Sequence, residues 1–166
     1  VVRFTGDCRT LLSGKCFIKE QYVVVRSPSS TWSSEGSFLG RESGRASSYI
    51  LEGTGTSGFA NDQFPVAVSR NGASIPLNQS GRVGYSLGSI TDFMVLKITV
   101  NDHDTKPTSY LLSGIDGDHW LCKFDLAEIL GYSRTLTAPE EASVGGYLAA
   151  KYGIKTAYPA PANLHN

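Results

Sequence analysis

Short apolar runs broken by turn residues recur along this chain, and that rhythm restricts the fold more than any other feature. Tyr22-Val23-Val24-Val25-Arg26 is a β-branched run ended by Ser27-Pro28. Ser37 to Gly40 and Ser48 to Leu51 are short runs around the loop Glu42-Ser43-Gly44-Arg45. Phe64 to Ser69 leads into Asn71-Gly72, the dipeptide best suited to a two-residue hairpin. Phe93 to Val100 is apolar at nearly every position near its start, which predicts a central strand buried on both faces. Tyr110 to Leu112 follows, and His119 to Tyr132 is apolar at Trp120, Cys122, Phe124 and Leu126. Many short strands at intervals of roughly 8–12 residues predict an all-β fold, a two-sheet antiparallel β-sandwich.

One helix is predicted near the end. Thr137 stands three residues before Glu140, a capping box, and Glu141 adds a second negative charge in the first turn. Val144, Leu148 and Tyr152 fall on one stripe. Gly145 and Gly146 each cost about 1 kcal/mol relative to alanine, so a close approach of helix to sheet is the expected compensation. Gly153 stands where a left-handed residue ends a helix. Past Lys155, Tyr158-Pro159-Ala160-Pro161 reads as extended linker, which divides the chain into a domain over 1–155 and a tail over 156–166.

Composition then removes several function classes. The 166 residues carry 15 basic and 15 acidic side chains, a net charge of zero, so no electrostatic grip on nucleic acid is expected. A hydrophobic share of 40% is too high for disorder. No apolar run reaches the roughly 18 residues of a membrane span, and no membrane insertion is expected. Cys8, Cys16 and Cys122 fit no zinc or redox spacing. Cys8 and Cys16 flank Ser13-Gly14 and are readable either as a disulfide across a hairpin or as buried thiols, and Cys122 as a small core residue. The chain opens at Val1 in strand-like sequence, as expected of a processed chain or an excised domain.

The run Phe124-Asp125-Leu126-Ala127-Glu128-Ile129-Leu130-Gly131-Tyr132-Ser133-Arg134-Thr135-Leu136-Thr137, followed by Tyr147-Leu148-Ala149-Ala150-Lys151-Tyr152-Gly153, resembles the C-terminal signature of bacterial LamG-like (laminin G-like) domains of the concanavalin A-like lectin/glucanase superfamily. Val2-Arg3-Phe4-Thr5-Gly6 is similar to that family's opening strand. The resemblance implies a jelly roll with a short C-terminal helix. It also implies that Glu128 and Arg134 are structural, Glu128 accepting hydrogen bonds from loop backbone or pairing with Arg134. Family members include glycan-binding modules, adhesion domains and β-glucanases.

Catalysis is not expected. A retaining glycosidase needs two carboxyl groups about 5–5.5 Å apart. The glucanase branch of the family places Glu-x-Asp-x-(x)-Glu on one strand, and this chain lacks it. Its nearest approach is Asp125-x-x-Glu128, whose odd spacing sends the side chains to opposite faces of a regular strand, unless a bulge brings them back together. His103, His119 and His165 accompany no nucleophile motif. Gly53-x-Gly55-x-x-Gly58 follows a strand but opens no helix, so a phosphate loop is not expected.

Two binding chemistries remain. Asp102 and Asp104, and Asp116 and Asp118, sit in acidic turns near strand ends and are candidate Ca²⁺ ligands, with Asx-turns as the plainer explanation. Lectin relatives hold Ca²⁺ at such rims, and no other cofactor is expected. Sugar stacking needs aromatic faces: Trp32, in a polar loop, is one candidate, and Tyr49, Phe59 and Trp120 are others. Trp32 reads equally as a loop plug and Trp120 as core. The expectation is an extracellular or cell-surface recognition module that binds carbohydrate. The alternative is a structural or assembly module of a surface protein, phage or viral particle, with protein partners and no sugar.

Overall fold

The computed structural model describes residues 1–5, 10–11, 17–28, 36–42, 48–54, 58–61, 66–76, 78–80, 82–86, 90–100, 109–112 and 123–160. The chain is mostly antiparallel β-sheet with one C-terminal helix. The strands are β1 (Val2–Thr5), β2 (Thr10–Leu11), β3 (Glu20–Arg26), β4 (Gly36–Glu42), β5 (Ser48–Thr54), β6 (Gly58–Asn61) and β7 (Val66–Arg70). Then come β8 (Ala73–Ser74), β9 (Asn78–Ser80), β10 (Arg82–Ser86), β11 (Met94–Val100), β12 (Ser109–Leu112), β13 (Lys123–Tyr132) and the helix α1 (Ala138–Tyr152).

Six strands form one antiparallel sheet in the order β1–β13–β3–β11–β7–β8. The other strands pair backbone to backbone in the order β2–β12–β4–β5–β6–β10–β9. The hairpin β7–β8 turns at Asn71 and Gly72, with φ of 52° and 82°. Two consecutive positive φ angles are what a type I′ turn demands, and this is why the Asn-Gly pair stands there. The Asn71 carboxamide oxygen also accepts the Val95 N–H at 2.8 Å, which ties the turn to the central strand.

Register sorts the sheet's side chains onto two faces. Val23, Val25, Met94, Leu96, Ile98, Phe124, Leu126 and Phe4 share one face, and all are buried. Phe4 sits opposite Phe124, and their rings stack at 4.4 Å. Tyr22, Val24 and Val95 share the other face, where Leu136 and Leu148 cover them. The run Met94-Val95-Leu96 is therefore buried on both faces, as its unbroken apolar sequence predicts.

The helix starts as the sequence predicts. Glu140 accepts the Thr137 N–H at 2.9 Å and the Thr137 hydroxyl at 2.8 Å in a capping box. Gly153 ends the helix at φ 64°, its N–H bonded to the Ala149 carbonyl. Three ionic groups lock the helix to the sheet. Lys97 bridges fully buried Glu20 at 2.7 Å and Glu141 of the helix at 2.5 Å. Glu20 also accepts the Leu136 N–H at 2.7 Å. Its charge and burial raise the Tyr22 phenol pKa well above the usual value, burial being the larger cause.

The helix also meets the tail. Gly145 lies under the Tyr158 ring, where a β-carbon would come within 2.4 Å of ring atoms. At Gly145 the room goes to the chain's own tail, while α1 lies close to β11 as expected. That tail is no free linker through residue 158. The Ala157 N–H donates to the Asn71 carbonyl at 2.7 Å, and Tyr158 packs against the core under the helix. Among the described residues, no helix is long and apolar enough to cross a membrane.

Candidate functional site

The helix-bearing face has two ends, and each carries exposed polar groups. At one end, β13 bulges between Leu126 and Glu128. Asp125 opposes Arg26 and Glu128 opposes Val24, two positions of β3 that share a face. The bulge therefore returns Asp125 and Glu128 to one side of the sheet, contrary to the regular-strand expectation. Both carboxylates are already engaged. Asp125 accepts Arg3 Nε at 2.6 Å, Arg3 Nη2 at 2.8 Å and Arg26 Nε at 2.9 Å. The hydrogen bonds from Arg3 lead in holding its pKa down at about 2, against the opposing effect of burial. Glu128 accepts Lys151 Nζ at 3.0 Å and the Tyr152 hydroxyl at 2.9 Å.

At the other end, a groove of about 330 Å³ opens between the 132–136 segment and the first turns of α1. Buried Leu136 and half-buried Val144 line it, with Tyr132 and Pro139 beside them. Arg134, Glu140 and Ser143 form its polar rim. Arg134 meets Glu140 with two N–H groups, at 2.6 and 2.8 Å, a fork against a fork. That guanidinium, followed by the Thr137 N–H and hydroxyl, holds the Glu140 carboxyl far below the usual range. The pair neutralises itself, so the groove presents donors and acceptors without net charge.

The expected Glu128–Arg134 pairing does not form. Glu128 instead meets Lys151 and Tyr152 of the helix C-terminal turn, and Arg134 meets Glu140 of its N-terminal turn. Tyr49 lies in β5 opposite Gly40, and Phe59 lies in β6 opposite Gly53 and Tyr85. The side chains of Tyr49 and Phe59 lie outside the described residues. So do Trp32, Trp120, Asp102, Asp104, Asp116 and Asp118, together with Cys8, Cys16 and Cys122. Among the described residues, no group of three or more His, Cys, Asp or Glu could hold a metal ion.

Sequence reasoning missed Arg3, Arg26 and Asp125 as a cluster, and Tyr132 and Glu140 as groove residues. Only the pairing of Glu140 with the helix cap carried a local signal, since the rest depends on contacts far apart in the chain. The chain matches no family model, no curated protein and no solved structure.

Proposed function

We propose that the chain is a non-catalytic recognition module for carbohydrate, displayed outside the cell or on its surface. The groove beside α1 carries this reading. A sugar ring offers an apolar C–H face and hydroxyls that both donate and accept. An apolar lining with Tyr132, rimmed by a self-neutralised Arg134–Glu140 pair, suits both features. The proposed framework is a LamG-like sandwich. Its support is that the sheet is buried on the face turned away from the helix as well as on the face beneath it. The engagement of Asp125 and Glu128 by basic groups argues against their use as a glycosidase pair.

A glycan array probed with and without EDTA tests the reading. Binding to at least one glycan is expected, weakened roughly tenfold or more when Arg134→Ala removes a charge-assisted hydrogen bond. Loss of binding in EDTA, restored by added Ca²⁺, would support the Ca²⁺ reading, with Asp102, Asp104, Asp116 and Asp118 as the candidate ligands. Trp32→Ala measures the contribution of that loop. Absence of binding to every glycan, in calcium, overturns the proposal.

One observation favours the structural or assembly alternative. Val1 and Val2, at the start of β1, are 78% and 59% exposed, and β1 stands at the end of the six-strand order among the described residues. An apolar edge strand is a ready pairing surface for another protein. Sedimentation at increasing concentration separates the two readings: self-association that Val2→Lys abolishes, without sugar binding, supports assembly.

A further inference from the structure

We propose that Arg3 and Arg26 form a receptor for a singly charged oxyanion on the ligand, the carboxylate or sulfate ester of an acidic sugar. The proposal rests on the carbohydrate-recognition reading and adds the ligand's charge. Arg3, Asp125 and Arg26 are cross-strand neighbours on three adjacent strands, β1, β13 and β3. The two guanidinium groups therefore converge on one carboxylate from both sides. The Asp125 side chain is 1% exposed, while those of Arg3 and Arg26 are 58% and 38% exposed. The anion lies underneath and the cations lie at the surface.

Charge does not balance here. Two guanidinium groups share one carboxylate, and Glu128, next on that face of β13, is taken by Lys151 and Tyr152. One positive charge remains on the Arg3–Asp125–Arg26 cluster itself, and exposed Lys123, on the same face of β13 opposite Thr5, stands at its rim. A buried aspartate could be satisfied by one bidentate arginine, so neutralising Asp125 does not account for the second. Each guanidinium has five N–H donors. Asp125 takes two from Arg3 and one from Arg26, and both can offer others to a second acceptor. Both are also held in place: Arg3 by its bidentate pair, Arg26 by Asp125 and by the Phe93 ring 4.7 Å away. Fixed forks lose little further rotamer freedom when an oxyanion binds. A monoanion matches the surplus of the two guanidinium groups over Asp125.

The receptor is distinct from the groove. Asp125 opposes Arg26 and Tyr132 opposes Glu20, at the two ends of β3, roughly 20 Å apart at the rise of a strand. A single acidic sugar therefore reports on the arginines alone.

The test is an NMR titration of the whole chain with glucuronate, glucose 6-sulfate, glucose 6-phosphate and glucose. Saturable shifts at the Arg3 and Arg26 Nε–H groups are expected with glucuronate and glucose 6-sulfate. Affinity should exceed that for glucose by about tenfold or more, the worth of one charge-assisted hydrogen bond. Arg3→Gln should remove that advantage while leaving the spectrum folded, since Arg3 is mostly exposed. Arg26→Gln should do the same, and Arg3→Lys should restore only part of it. Acidic sugars that bind no better than glucose overturn the proposal, as does unchanged affinity in folded Arg3→Gln. Tighter binding of the phosphate than the sulfate overturns the charge match. Neutral glycans that bind the array equally well in wild type and Arg3→Gln, with no acidic preference, leave the recognition reading standing and remove this one. Failure of every glycan, neutral and acidic, removes both.

Discussion

Glu20 and Asp125 occupy opposite ends of the same sheet face, and both are buried carboxylates. Their partners differ. Glu20 meets Lys97, only 15% exposed, and the Leu136 N–H, so its whole environment is interior. Asp125 meets two arginines that stand largely in water. Burial fixes the cost of breaking an ion pair, because water can resolvate an exposed orphan but not an interior one. The first end is accordingly a clamp between helix and sheet. The second is a surface whose charges are free to face a partner.

Breaking the clamp should cost most. Lys97→Met leaves Glu20 charged, buried and short of a partner, and should destabilise by about 3–5 kcal/mol in urea unfolding. Adding Glu20→Gln should recover part of that loss. Full additivity of the two changes would contradict the clamp.

Next comes the helix seat. Gly145→Ala improves helix propensity by about 1 kcal/mol yet drives a methyl into the Tyr158 ring, so a net loss of about 1–3 kcal/mol is expected. In a Tyr158→Ala background the same change should become neutral or stabilising. A stabilised single variant would show that the tail does not occupy this slot.

Smaller effects come from the cap and from the open end. Thr137→Ala should cost about 1 kcal/mol by thermal melting. Arg3→Gln should cost the least of these changes, as expected of an exposed pair, despite its short hydrogen bonds. A loss as large as that for Lys97→Met would erase the contrast between the two ends.

The open end also carries a pH signature. The Asp125 pKa is lowered to about 2 from 3.8, so its folded form prefers the carboxylate. Its contribution is fully present above the unfolded value and is lost as pH falls through about 2. Acid titration of stability should lose this limb in Asp125→Asn, provided that variant folds.

What the sequence reveals about this molecule follows from the range of the interactions. The type I′ turn, the Thr137 cap, the Gly153 stop and the doubly buried centre of β11 are all written within a few neighbouring residues. The Arg3–Asp125 pair spans 122 positions and the Lys97–Glu141 pair spans 44, and nothing local marks either. Arg3 and Arg26 read singly as ordinary surface charges, and only strand order makes them neighbours. The Tyr158 anchor was hidden differently. Its setting among alanine and proline suggests linker, while the information that seats it lies in the missing β-carbon of Gly145.

Alternation fails most instructively at β13. The strand carries one residue more than its partner β3 requires, at Ala127, and the surplus carbonyl there accepts the Tyr152 hydroxyl at 3.3 Å. In most strands, losing one residue inverts every side chain beyond it. At Ala127 the loss would only restore a regular ladder, keeping Glu128, Leu130 and Tyr132 on their present side. Chain length in this sheet is therefore negotiable by one residue at a single address.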